Sequence, residues 1–268
     1  FSLGKTKSER EYRNWCLSNK LFLDPVNEIT SNSIAARDSL NINGHIGENN
    51  IFGLINNLKR EYITARYMFW EGVQKDEHYK HFSDDKIDLI DTYDYQLHYI
   101  SSEKIKSSFR ICYSILDKIA FFLNHYFELN IPEKEISARR VAHNQSYPKN
   151  NLMIGAILSL IKDFFEGSFE DGGYDTDAKM LHDIRNHIEH KYLKIVWIDR
   201  GYINELGDNY PSKTIKYEDL IDFNFKLFKK IRAAIFYIVF IVDQDNSLKR
   251  QEETHDSLSF VIPTHLVE

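Results

Sequence analysis

Between positions 181 and 190 the chain reads Leu-His-Asp-Ile-Arg-Asn-His-Ile-Glu-His, and three of these side chains carry chemistry that suits a phosphodiester: Arg185, Asn186 and His190. Cleaving RNA needs a group that removes the 2'-hydroxyl proton, a group that protonates the leaving 5'-oxygen, and cations that offset charge building on phosphorus. Imidazole is the side-chain group most often used to move protons, which makes His190 the candidate for that step, and a guanidinium such as Arg185 has a planar fork that matches phosphate oxygens. Asn186 can hold a phosphate oxygen or orient His190, its i+4 neighbour. Glu189 stands at the same spacing from Arg185, where it either positions the arginine or neutralises it. The plain alternative is a solvated helix face with an ordinary ion pair.

The element that must position these groups is a helix. At about 100° per residue, Leu181, Ile184, Ile188 and Tyr192 fall on one arc, and His182, Arg185, Asn186, Glu189 and His190 on another. Five positions separate Arg185 from His190, a divergence of about 140°, so an ideal helix does not centre both on one narrow face. Packing of the helix against its own copy across a two-fold axis makes that divergence useful, since two arginines and two histidines then line one cleft. The spacing therefore predicts a composite site in a dimer, with the helix from about Asp177 to Leu193 lining the interface.

The remaining sequence predicts a helical scaffold. With 43% hydrophobic and 14% aromatic residues in 268 positions, the chain can bury a large core. Five prolines and eleven glycines give too little turn punctuation for a sandwich or barrel. Helical spacing of apolar residues marks Ser8 to Leu21, ended by Asp24-Pro25; Asn50 to Val73; Lys86 to Ile100, more weakly; Ser101 to Leu129, with Ser101 or Ser102 as N-cap; Asn151 to Phe165; and Tyr217 to Gln244. Asn27 to Asn50 reads as a linker or ordered arm, Ile131 to Lys149 as a basic loop, and Asp175-Thr176-Asp177 as N-cap candidates for the motif helix. Leu193 to Ile198 and Leu258 to Ile262 alternate like a small strand pair. The expected architecture is all-α, a bundle of four to five long helices with minor β decoration. It divides into an N-terminal helix and arm over 1–45, a helical domain over 46–246 and a C-terminal tail over 247–268 that packs on the domain.

The net charge of -6 disfavours a long nucleic-acid groove, while leaving room for a small local one. Positive charge gathers at Arg139, Arg140 and Lys149, at Lys191 and Lys194, and at Lys226, Lys229, Lys230 and Arg232, each cluster reading by itself as a solvated face. Cys16 and Cys112 are too few for a disulfide framework and read as buried thiols in a reducing cytoplasm. The longest apolar run, Ala233 to Val242, is about half of a bilayer span, so no membrane segment is expected. Phe1 in place of Met, without a basic-then-apolar leader, reads as a piece of a longer chain or a processed one.

Other constellations carry less. His182-Asp183 has the central dyad of a metal-dependent HD phosphohydrolase but lacks the converging earlier histidine and later aspartate, His143 lying in a loop. His187 with His190, and His78 with His81, are two-histidine pairs without a third ligand. Asp171 to Asp175 lacks the ligand periodicity of a calcium loop, and there is no CxxC pair, phosphate-cradling glycine loop or nucleophile elbow. No cofactor and no metal are expected. The sixteen tyrosines and eighteen phenylalanines fall mostly at core spacing.

The string Arg185-Asn186-His187-Ile188-Glu189-His190, an arginine followed by a polar residue and then by a histidine after four intervening positions, resembles the signature of the HEPN superfamily, the higher-eukaryote and prokaryote nucleotide-binding domains. Tyr12-Arg13-Asn14-Trp15-Cys16-Leu17, Phe109-Arg110-Ile111 and Ile119-Ala120-Phe121-Phe122-Leu123 are similar to a bacterial branch often fused to tetratricopeptide repeats, which extends the resemblance over about Ser8 to Gln244. It implies a dimeric HEPN-like helical bundle, commonly a metal-independent endoribonuclease of toxin, phage-defence or RNA-processing systems. On that implication Arg185, Asn186 and His190 are the catalytic set, RNA is the substrate, and an antitoxin or regulator is a possible partner. Some superfamily members bind nucleotides or proteins without cutting, and a non-catalytic module is the alternative.

Overall fold

The computed structural model describes residues 3–42, 49–74, 81–90, 95–148, 151–165, 176–197 and 212–252. Its first helix, α1 (Lys7–Ser18), opens on a capping box in which the Thr6 hydroxyl accepts from the Glu9 N–H and the Glu9 carboxylate accepts from the Thr6 N–H. Apolar spacing carries the helix to Leu21, but it stops at Ser18, because Lys20 turns left-handed at φ 61°. The Lys20 N–H then donates to the Leu17 carbonyl and the Leu21 N–H to that of Cys16, which closes the helix and drops Leu21 into the core.

The arm that follows is ordered over its described part. It contains α2 (Val26–Ile29) and a 3₁₀ turn at Ser33–Ala35. Two buried arginines hold it down. Arg66 donates to the Leu21 carbonyl, to the Tyr12 hydroxyl and through both terminal nitrogens to Asp38, each at 2.9 Å. Arg232 donates to the carbonyls of Phe22 and Asp24 and pairs with Glu28. The sequence pattern placed Arg232 on a solvated basic face; at 3% exposure it is instead an internal tie between the last helix and the arm. Backbone carbonyls with no helical partner need donors, and a buried guanidinium supplies several at once.

The core is built by long helices. α3 (Asn49–Val73) and α4 (Ile100–Tyr126) pack against each other, with Ile55, Leu58, Tyr62, Ala65 and Phe69 meeting Ile105, Phe109, Cys112, Leu116 and Ile119. Gly72 permits the close approach at one end, since a β-carbon there would stand 2.7 Å from Ile105 Cγ1. The last helix, α8 (Tyr217–Glu252), lies across both and stacks Phe228 on Phe69 with ring centroids 5.6 Å apart. α5 (Ala138–Ala142), α6 (Leu152–Phe165) and α7 (Thr176–His190) complete the bundle. α5 is a short helix capped by Ser137 inside the segment expected to be a basic loop. α4 ends at Tyr126 rather than Leu129 because Glu128 repeats the left-handed turn of Lys20, and Leu129 becomes the apolar residue after it. The molecule is all-α with one small sheet, and among the described residues no helix is long and apolar enough to cross a membrane.

Two further expectations change. The weak helix over Lys86 to Ile100 is absent among the described residues of that span before Ile100. Lys86 and Tyr95 are left-handed, Ile87 and Ile90 are exposed, and Gln96 bridges Val196 in antiparallel fashion. The N-cap of α4 is Tyr99, not a serine; the Asp84 carboxylate accepts from the Ile100 N–H at 3.1 Å, while the Ser102 hydroxyl turns back onto the Tyr99 carbonyl. The sheet pairs β1 (Tyr192–Val196) with β2 (Ser212–Lys216) in parallel, Ile195 opposite Ile215. Leu258 to Ile262, the partner the pattern suggested, lies outside the described residues, as do the tail beyond 252 and the glycine-rich break before α7.

Candidate active site

The motif helix α7 is held at both ends. Near its start Asp177 takes a 2.8 Å ion pair from Lys226 of α8, and Asp183 meets Lys213 of β2 at 3.4 Å. Its buried stripe of Ala178, Leu181 and Ile184 faces the bundle, as the spacing requires. At the other end the chain passes from His190 almost directly into β1, whose Leu193, Ile195 and Val196 are buried. His190 therefore sits where a helix is pinned by a strand, which restrains a terminus that would otherwise fray.

Within one chain Arg185 Nη1 donates to Asn186 Oδ1 at 3.1 Å and stands 3.4 Å from His190 Nε2. The helical projection predicted that the 140° divergence would keep Arg185 and His190 from sharing a face. The arginine stem is long enough to cross it, since backbone angles fix the origin of a side chain and not the reach of its tip. Asn186 does not orient His190, its i+4 neighbour; its amide lies 2.9 Å from Nε2 of His182, at i-4. Glu189 is exposed and forms no ion pair with Arg185 among the described residues. His182 and Asp183 address different neighbours, and among the described residues no three His, Cys, Asp or Glu side chains are grouped to hold a metal.

Hydrogen-bond chemistry assigns the protons in this cluster. A guanidinium only donates, so the Asn186 atom it meets is the carbonyl oxygen and the atom turned to His182 is the amide nitrogen. His182 Nε2 must then accept, which places the ring proton on Nδ1, 3.3 Å from the Tyr113 hydroxyl of α4. By the same logic Nε2 of His190 faces a donor and presents its lone pair. Burial keeps the Tyr113 phenol well above its ordinary pKa against the opposing charge of Arg185, so it remains protonated.

Arg185 leans over the Tyr113 ring, 5.9 Å from its centroid, and faces Asp117 one turn further along α4. Burial pushes the Asp117 carboxyl above the usual carboxylate range, and Arg185 pulls it back. Nε and Nη2 of Arg185 have no hydrogen-bond partner among the described residues, so half the fork is open to an anion. Tyr113 and Asp117 escaped the reading of the sequence, where α4 showed only its apolar stripe. The signal available was a tyrosine and a carboxylate at i and i+4, beside the stripe.

The family model described as LA2681-like HEPN matches residues 43–245, and the chain belongs to that family. The match begins after the described part of the arm, so the N-terminal extent of the resemblance, from Ser8, lies outside it. No curated protein and no solved structure matches the chain.

Proposed function

We propose that this LA2681-like HEPN domain is a metal-independent endoribonuclease, with Arg185, Asn186 and His190 as its catalytic set, working as a homodimer in which two such sets share one cleft. The observation that carries the reading is the contact between the Arg185 guanidinium and Nε2 of His190 on α7, a helix inside the span that the family model matches. On this reading the substrate phosphate draws the Arg185 N–H off His190 Nε2, the freed lone pair takes the proton of the 2'-hydroxyl, the 2'-oxygen bonds to phosphorus, and the bond from phosphorus to the 5'-oxygen breaks. The leaving 5'-oxygen receives a proton from the imidazolium of the second copy's His190 or from water. The open half of the Arg185 fork stabilises the phosphorane oxygens, and Asn186 keeps the guanidinium aimed. The products are a 2',3'-cyclic phosphate and a 5'-hydroxyl. A toxin or phage-defence effector, cytoplasmic and restrained by an antitoxin or regulator, is the role that suits such an activity.

The test is incubation of RNA with purified protein in EDTA, with the ends of the products identified. Undiminished cutting and a cyclic phosphate, or its hydrolysis product, are expected. Cutting that stops in chelator and returns with a divalent ion contradicts the proposal. The net charge of -6 and the Asp117 carboxyl beside Arg185 favour a second reading, a non-catalytic nucleotide-binding or protein-interaction module. Protein that binds RNA or nucleotide but leaves it intact selects that reading.

A further inference from the structure

Beside the motif, α4, the end of α7 and the start of β1 enclose a groove of about 130 Å³. Lys106 and Arg110 of α4 line it from one side and His187 and Lys191 from the other, with Ile188 and Leu193 also in the lining. Its single carboxylate, Glu103, is already paired with Lys106. Arg110 and Lys191 are exposed and take no ion pair among the described residues. The ring of His187 donates from Nδ1 to the Asp183 carbonyl at 2.7 Å, which fixes the ring with Nε2 as its other edge. In a chain of net charge -6, two unpaired cations, a third cation and an imidazole converging on one small concavity mark a place for an anion.

Its position says which anion. Lys191 follows His190 in the chain, and Arg110 lies one helical turn from Tyr113, over whose ring Arg185 rests. Tyr192, at 43% exposure, also lines the groove, and Lys194 Nζ stands 5.8 Å from its ring centroid, which sets a cation beside an aromatic surface of the kind on which a base stacks. We propose that this groove is a second phosphate subsite, which binds the phosphodiester flanking the scissile one on a single RNA strand. Arg110 and Lys191 hold that phosphate. Naming RNA as the ligand rests on the ribonuclease reading; the anion site itself does not.

The experiment therefore separates binding from cleavage. A fluorescent 2'-O-methyl oligoribonucleotide, which lacks the attacking hydroxyl, is titrated with the parental protein and with Arg110→Ala/Lys191→Ala across a salt series. The double variant is expected to bind at least about tenfold more weakly, with the slope of log affinity against log salt reduced by about 1.4, two contacts at about 0.7 each. Arg110→Lys/Lys191→Arg, which keeps both charges, should stay near parental. On cleavable RNA the double variant should raise KM with kcat within a few-fold.

Parental affinity and salt slope in the double variant overturn the strand subsite, whatever the cleavage assay shows. If the parental protein cuts nothing yet the double variant loses affinity and slope, the groove stands and the ribonuclease reading falls. Inorganic phosphate provides the remaining arm. If millimolar phosphate raises the melting temperature of the parental protein but not of the double variant, while oligonucleotide binding is unchanged by the substitutions, the site serves a free anion and the strand subsite is wrong.

Discussion

Arg185 can only donate hydrogen bonds, and that single fact propagates through the site: it turns the Asn186 carbonyl inward, leaves the amide to His182, and requires His182 to carry its proton on Nδ1. The tautomer is directly measurable. Long-range nitrogen–proton correlation spectra should show His182 protonated at Nδ1, and Asn186→Leu should release that preference; an Nε2-protonated ring in the parental protein contradicts the network. On the proposed reading Tyr113 acts as a positioning residue, through its contact with His182 and by lying under Arg185. Tyr113→Phe keeps the ring and removes the hydroxyl, so kcat should fall by about fivefold, the equivalent of about 1 kcal/mol for one hydrogen bond, with KM unchanged. An equal rise in KM places Tyr113 in substrate binding instead. Arg185→Lys should not restore activity lost in Arg185→Ala, because an ammonium cannot keep Asn186 and a phosphate on separate donors of one rigid fork.

Among the elements, the arm and the motif helix were legible to different degrees. The long helices could be read because burial imposes a 3.6-residue period, and residues such as Leu58, Tyr62, Ala65 and Phe69 obey it. Helix ends were misread where a left-handed Lys20 or Glu128 does the work usually given to glycine, for nothing in a lysine or glutamate announces that conformation. β1 was legible from its β-branched and aromatic residues, but its partner was not, because pairing is a tertiary choice that local alternation does not specify. The proposed catalytic set of Arg185, Asn186 and His190 was picked out by residue type, spacing and resemblance, whereas Tyr113 and Asp117 come from a helix more than sixty residues upstream and meet those residues only after folding. The arm was undecided between linker and ordered layer, and Arg66 and Arg232 settle its described part. Burial alone would raise the pKa of Asp38, yet the charge of Arg66, its paired hydrogen bonds and the Leu23 N–H outweigh this and hold the carboxyl below its ordinary value. A depressed folded pKa means stability that is fully present above the unfolded value, about 4, and lost as pH falls through the folded one. Acid titration followed by amide hydrogen exchange should therefore release residues 21–40 before the core of α3 and α4. Asp38→Ala, which strands a buried guanidinium, should cost about 3–5 kcal/mol. Arm and core that exchange together at every pH contradict this division.

At the scale of the whole molecule, the account places two copies of α7 about one axis. Light scattering at micromolar concentration should give twice the mass of the chain, and a monomer there removes the shared cleft. Arg185→Ala and His190→Ala, each inactive alone, should regain part of the parental rate when mixed and allowed to exchange, because the mixed dimer carries one intact Arg185 and one intact His190 in the same cleft. No recovery after demonstrated exchange assigns the whole reaction to the intact pair within each chain. Neither substitution touches the buried stripe of Leu181 and Ile184, so both variants should retain the parental helical signal and melting behaviour. The central claim is that the Arg185–His190 pair cuts RNA, and the rate of RNA cleavage in EDTA by the parental protein and these two folded variants tests it most directly. The account predicts a loss of about a hundredfold or more in His190→Ala with binding of the 2'-O-methyl oligonucleotide nearly unchanged, and a comparable loss in Arg185→Ala. Cleavage at the parental rate by both variants contradicts it.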